Sequence, residues 1–203
     1  MHHFKKLIVT TIFCMGLFPC RSQVASTFTD SRDGQVYQTV LLKVKTHAGD
    51  SVEREWLAEN LRYKSEHSEC YKYDEAYCEG LGRLYDWHDA HESCPSGWHV
   101  PNFGEWTELF NVYGGIAKAG SELKPEGSSL FNAQFGGMAD TNNKFYSAGH
   151  LANYWDSESH HVTESSGGVV GIHYQFNDIT HSPVSNKNRN SVRCVKNYQG
   201  FDE

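Results

Sequence analysis

With 203 residues, 38% of them hydrophobic, the chain can bury one good core, and nothing in its composition calls for a second domain. Its 25 acidic residues outnumber 18 basic ones, a formal charge of −7 that argues against nucleic acid and anionic membrane surfaces as partners. No internal repeat or low-complexity tract divides it.

The first 22 residues, MHHFKKLIVTTIFCMGLFPCRS, combine a basic start at Lys5 and Lys6, an apolar run from Leu7 to Phe18, and Cys20 and Ser22 in a setting that suits signal peptidase. A lipid anchor would want a small residue before the cysteine, whereas Pro19 precedes Cys20 and Phe13 precedes Cys14. Simple export is therefore expected, with cleavage after Ser22 and Ala25 as the next candidate. Removal of residues 1–22 takes away Lys5, Lys6 and Arg21, leaving 15 basic against 25 acidic residues and a charge of −10. No later run approaches the roughly 18 consecutive apolar residues of a membrane helix.

Export leaves four cysteines, an even number that reads as a disulfide framework with three connectivities. Cys70 and Cys78 lie close together in ECYKYDEAYCEG and are placed to staple one loop. Cys94 and Cys194 would then close a loop of about 100 residues, worth about 4.7 kcal/mol in the chain-entropy model. Zinc is the rival use of four cysteines, but the spacing lacks paired knuckles.

In chain order, a polar turn at Asp33 and Gly34 separates two extended pieces within residues 28–37. Val40, Leu42 and Val44 alternate as a half-buried strand should. Residues 52–57 predict another strand, and the tyrosine-rich stretch 65–82 predicts an irregular loop. A helix over 83–94 puts Leu84, Trp87, Ala90, His91 and Cys94 on one stripe, and Pro95 and Gly97 stop it. Trp98, Val100 and Pro101 form an extended link. Asn102 with Glu105 makes a capping-box pattern for a second helix, which carries Phe103, Trp106, Leu109, Phe110 and Tyr113 and ends at Gly114 and Gly115. Later strands are expected at 145–148, 153–157, 169–176 and 192–196. The connections MADTNNK, SESHHVTESSGG and NDITHSPVSNKNRN read as long polar loops.

The pieces TFTDSRDGQVYQTV, WLAENLRY, CYKYDEAYCEGLGRLYDW, CPSGWHVPNFGEWTEL, FYSAGH, YWDSES and SVRCVKN together resemble the Fibrobacter succinogenes major paralogous domain family, a group of exported bacterial proteins. The resemblance covers residues 27–197, leaving 198–203 as a tail. That family is in turn similar to C-type-lectin-like folds and the formylglycine-generating enzymes. The resemblance implies an α+β fold with two helices packed on small antiparallel sheets, long polar loops and two disulfides. It implies that Cys94 pairs with Cys194. Trp87, Trp98, Pro101, Glu105 and Trp106 then form the structural hub. It brings no activity with it.

Lectin-like domains often hold sugar through calcium, using an acidic or amide residue followed by Pro and then Asn or Asp. That motif is absent, since only Pro183, between Ser182 and Val184, follows Pro125. They also carry Trp-Asn-Asp before the last cysteine; here Phe176, Asn177 and Asp178 stand near that place. With Glu158 or Asp156 they are the candidate calcium ligands, although a lone pair of ligands cannot make a six- to eight-coordinate site and Asn-Asp equally suits a turn. His88 and His91 are spaced to share a helix face for zinc or copper but lack a third ligand, so a packed His91 and a surface His88 are expected. His99 in the Trp-His-Val-Pro link reads as structural, and His160 and His161 as solvated. The formylglycine-generating enzymes hold copper through two thiols, a use that competes with disulfides. There is no phosphate loop and no nucleophile elbow.

The expectation is thus an exported, non-enzymatic binding or adhesion module without a required cofactor. Tyr154, Trp155, Tyr174 and Phe176, with His173 nearby, are candidates to stack on a polysaccharide, although Trp155, like Trp106, is better placed for the core. A surface protein is the other partner class. A structural surface protein and a metal-assisted enzyme are the alternatives.

Overall fold

A computed structural model describes residues 23–159 and 165–197. The export signal, His160 and His161, and the tail at 198–203 lie outside the described residues.

The chain opens with β1 (Gln23–Thr29) and β2 (Val36–Lys45), joined by the turn at Asp33 and Gly34, where Gly34 takes φ 77°. β3 (Ser51–Leu57) pairs with β2 over seven residues, from Thr39 opposite Leu57 to Lys45 opposite Ser51. With the later β4 (Trp98–His99) and β10 (Val195–Lys196) these strands make an antiparallel sheet in the order β1-β2-β3-β10-β4. Alternation in β2 puts Val40, Leu42 and Val44 on the inner face, as expected from the sequence.

A short 3₁₀ turn (Tyr71–Tyr73) and α1 (Glu75–Leu81) occupy the stretch expected to be an irregular loop. Asp74 caps α1 by accepting from Ala76 N–H at 3.0 Å. α2 (Trp87–Ser93) begins four residues later than the sequence predicts. Leu84 and Tyr85 are spent in bridges to Glu69 and Asn190 instead, and Asp86 caps the helix through Asp89 N–H. His91 consequently lies exposed rather than on a buried stripe. α3 (Phe103–Val112) carries the expected capping box, Asn102 accepting from Glu105 N–H and Glu105 accepting from Asn102 N–H. Its face of Trp106, Leu109 and Phe110 packs with Val40, Leu42, Val44 and Trp56 in the larger core.

A fourth helix, α4 (Ala119–Leu123), lies where no long helix was legible, so the described residues hold four short α-helices rather than two. β5 (Met138–Ala139) and β6 (Phe145–Tyr146) form a small hairpin. The third sheet is β7 (Leu151–Ser159), β8 (Ser166–His173) and β9 (Ile179–Ser185). β9 falls in a stretch the sequence presents as a loop, because Pro183 and its polar neighbours hide it; Pro183 is tolerated there since β9 is an edge strand. Gly167 and Gly168 in β8 bring this sheet close to its neighbours. A Cβ at Gly167 would lie 2.1 Å from the Trp87 ring, and one at Gly168 2.2 Å from the Asp156 carboxylate.

Candidate functional site

β8 and β9 separate after the Ile172–Ile179 pair, and the turn between them carries two large side chains outward. Tyr174 is 42% exposed and Phe176 57%. His173 stacks on Phe176 at 4.9 Å and contacts Tyr174 at 4.9 Å, while His150, from the start of the neighbouring strand, stands edge-on to Tyr174 at 4.8 Å. Four rings thus form one surface group.

The backbone beneath them is clamped. Tyr174 N–H donates to His150 O at 2.9 Å, and Phe176 N–H to His173 O at 3.3 Å. Lys124, almost fully buried at the end of α4, donates from Nζ to the carbonyls of Tyr174 and Phe176 at 3.0 and 2.5 Å. Burial lowers the Lys124 pKa from its ordinary value, against the opposing pull of Glu126 and Asp178. Gly120 N–H donates to Asn177 O at 2.9 Å, and a Cβ at Gly120 would meet that oxygen at 2.7 Å. The carbonyls therefore face inward and the rings outward. Such a surface offers π-faces and ring edges to a flat apolar ligand face, with little ordering entropy left to lose.

Other expected ligand residues sit elsewhere. Tyr154 and Trp155 are fully buried, Tyr154 donating to Gln134 O at 3.2 Å and Trp155 to Tyr85 O at 2.7 Å, so both serve packing and not a ligand face. Asn177 and Asp178 are exposed in the turn, while Glu158 is exposed near the opposite end of β7, beside the Ser159–Gly167 pair. Six residues of β8 separate the two places, about 20 Å of strand, so these three cannot share an ion. Asp156 lies toward the Glu158 end and accepts from His181 Nε2 at 2.6 Å, with His181 stacked on Phe103. His91 directs Nδ1 at Trp87 O and Nε2 at Ser157 O, at 2.7 and 3.1 Å, and His88 meets Asn186. The two imidazoles are thus spent on separate contacts.

Both disulfides join as spacing suggested, Cys70 with Cys78 and Cys94 with Cys194. Zinc loses its four thiolates by this, and copper its thiol pair. Among the described residues the one grouping of metal-ligand type is Cys70, Cys78 and Glu75, whose two sulfurs are bonded to each other. An open cleft of about 610 Å³ lies beside it, and four of its six charged side chains pair with one another, Arg62 with Glu59 at 3.0 Å and Arg83 with Glu75 at 3.1 Å. The residues expected to form the hub are engaged in contacts between elements. Trp106 meets Trp56 at 5.0 Å, Trp98 meets Phe28 at 5.0 Å, Trp87 donates to Asp156 O, and Pro101 O accepts from Ser157 N–H.

The model of the Fibrobacter succinogenes major domain matches residues 49–196. The chain belongs to that family. No curated protein and no solved structure matches it. The family segment holds both disulfides, α3 and the aromatic turn, but omits β1, β2 and most of the β2–β3 turn. Of these, β2 supplies Val40, Leu42 and Val44 to the core in which the family segment's α3 packs.

Tyr174 and Phe176, named from the sequence as candidates, stand exposed, and two residues the sequence analysis did not name, His150 and Lys124, contact this turn. His150 was hidden in a Gly-rich turn. Lys124 carries no sequence signal that sets it apart from other lysines, and its burial shows its contact with the turn.

Proposed function

We propose that this member of the Fibrobacter succinogenes major domain family is an exported, non-enzymatic binding module of C-type-lectin-like architecture that holds a carbohydrate against its aromatic turn. The observation carrying this reading is the pair Tyr174 and Phe176, exposed on a backbone clamped by Lys124 and Gly120. Large rings left in water on a rigid turn have no packing role to explain them. The apolar face of a sugar ring complements them, with His150 and His173 at the rim to accept or donate hydrogen bonds to hydroxyls. The two disulfides fit an oxidising compartment, and no helix among the described residues is long and apolar enough to cross a membrane. Calcium is not called for by this reading, because the candidate ligands stand at two ends of a sheet.

A glycan array probed with the exported protein, with calcium and with chelator, tests it. Binding to a neutral glycan is expected under both conditions. Tyr174→Ala and Phe176→Ala are each expected to weaken that binding about fivefold, since one aromatic contact is worth about 1 kcal/mol. An array without signal, or variants that bind as the parent does, would overturn the reading in favour of a structural surface protein.

A further inference from the structure

The outer edge of a sheet offers unpaired N–H and C=O groups to any other chain, and proteins blunt such edges with brevity, proline, bulges or a covering segment. Most edges of this fold are blunted in one of these ways. β4, β5 and β6 are two residues each. β9 carries Pro183, and its Ile179 N–H donates to Ile116 O at 2.8 Å. β7 has a break in register between Trp155 and Ser159 and is covered on its outer side, where Leu151 O accepts from Gly137 N–H, and Trp155 and Ser157 N–H donate to Ser191 O and Pro101 O. β1, with the sequence QVASTFT, has none of these devices. It pairs with β2 over all seven residues without a break, holds no proline and no charge, and among the described residues has no strand on its other side.

The register shows which backbone groups of β1 point outward. Gln38 N–H donates to Glu59 Oε2 at 2.6 Å and Gln38 O accepts from Ala58 N–H at 2.7 Å, so Gln38 turns its backbone toward β3. Direction alternates along a strand, so Tyr37, Thr39 and Leu41 turn theirs toward β1, where they meet Phe28, Ser26 and Val24. Gln23, Ala25, Thr27 and Thr29 are left to direct N–H and C=O away from the sheet.

We propose that this edge is taken by the same edge of a second copy, the two β1 strands running antiparallel about a two-fold axis at Ser26. Gln23 then faces Thr29 of the second copy and Ala25 faces its Thr27, so the outward groups pair with one another. Val24 faces Phe28 of the second copy, on one side of the joined sheet. Val24 is 40% exposed in the single chain, and Phe28 packs on Trp98 at 5.0 Å, so each Val24 gains an aromatic neighbour, twice per dimer. Ser26, a small residue, meets itself in a pair without mutual hydrogen bonds, where facing side chains come closest. This match of side chains singles out a second copy over an arbitrary extended peptide, and a contact of this symmetry closes at two chains. A chain with a net charge of −7 repels its copy, and β1 adds nothing to that repulsion. The pairing is independent of what the aromatic turn binds.

Sedimentation velocity of the exported protein at concentrations up to about 0.5 mM tests this, since one strand edge is smaller than a standard interface and associates weakly. A concentration-dependent dimer is expected. Val24→Lys is expected to raise its dissociation constant about tenfold through loss of the two Val24–Phe28 contacts. Thr27→Pro removes an outward donor that β2 does not use and is expected to abolish the dimer. The exposed place of Val24 lets Val24→Lys fold, so it tests the edge even where Thr27→Pro unsettles β1; far-UV circular dichroism verifies both. Position is read by mild oxidation: Ser26→Cys is expected to crosslink to its own copy, and Thr27→Cys, which would face Ala25, is not. A monomer at every concentration, a dimer that both edge variants leave unchanged, or crosslinking as ready at 27 as at 26 overturns the proposal.

Discussion

Arg193 ties together backbone segments that lie far apart in the chain. It is fully buried and donates to Asn60 Oδ1 at 2.9 Å, to Leu57 O and Phe131 O at 3.1 and 2.6 Å, and to Asn132 O at 2.6 Å, with its guanidinium 4.5 Å from the Phe131 ring. Four neutral oxygens thus solvate one cation, and its burial lowers its pKa from the ordinary arginine value. Arg193→Met would leave those oxygens unpaired and is expected to cost about 3–5 kcal/mol, measured by urea denaturation. A second residue-scale test concerns His99, which contacts both Glu105 oxygens at 2.9 and 3.1 Å and Asn197 at 2.6 Å. The hydrogen bond to Glu105 raises the His99 pKa above 6.5. Burial pushes Glu105 upward, but His99, the Asn102 N–H and Arg54 outweigh it and hold the carboxyl below 4.5. The His99 contribution is therefore complete below pH 6.5 and lost as pH rises through its folded value; that of Glu105 is complete above pH 4.5 and lost as pH falls through its own. Stability from this pair should peak between those limits, and His99→Gln should remove the decline on the alkaline side in denaturation curves taken across pH. Sequence showed each residue singly, Glu105 as a cap and His99 as a structural link. Their meeting depends on the bend at Pro101 between strand and helix, which no periodicity encodes.

At the scale of elements, legibility followed length and pattern. β2 and α3 could be read because alternation and a capped apolar stripe each run over ten residues. α1 and α4, at seven and five residues, are too short for a stripe to stand out, and α2 was overextended because Leu84 is buried for a reason other than helix packing. The candidate site was half legible for a related reason: alternation says that some of Tyr154, Trp155, Tyr174 and Phe176 must point inward but not which, and the end of β8 at His173 decides it. Close approach of elements was not legible at all. Gly167→Ala is expected to cost about 1–3 kcal/mol by driving Trp87 away from β8, and the companion change Trp87→Leu should relieve part of that loss in a double-mutant cycle. β1 bears on maturation. It pairs with β2 from Gln23 onward, and Gln23 Oε1 accepts from Leu130 N–H at 2.9 Å. Cleavage after Ser22 keeps the strand whole, whereas cleavage after Ala25 would remove three of its seven residues. Intact mass measurement of exported protein should show Gln23 first.

For the molecule as a whole, the bond between Cys94 and Cys194 ties the end of α2 to the segment leading into β10 across 100 residues. Cys94→Ser with Cys194→Ser is expected to cost about 2–5 kcal/mol, and the matching change at Cys70 and Cys78, which span only eight residues, distinctly less, as read from thermal unfolding. The order β1-β2-β3-β10-β4 has one more consequence, in time. The last strand of the described residues, β10, fills the slot between β3 and β4, both of which precede it by far in the chain. A chain threaded through a membrane from its N-terminus would carry an unfinished sheet until β10 arrived. Completion of the fold, and with it closure of the long disulfide, would then wait for Cys194 and β10, so that a chain cut short before them is expected to stay open to proteolysis.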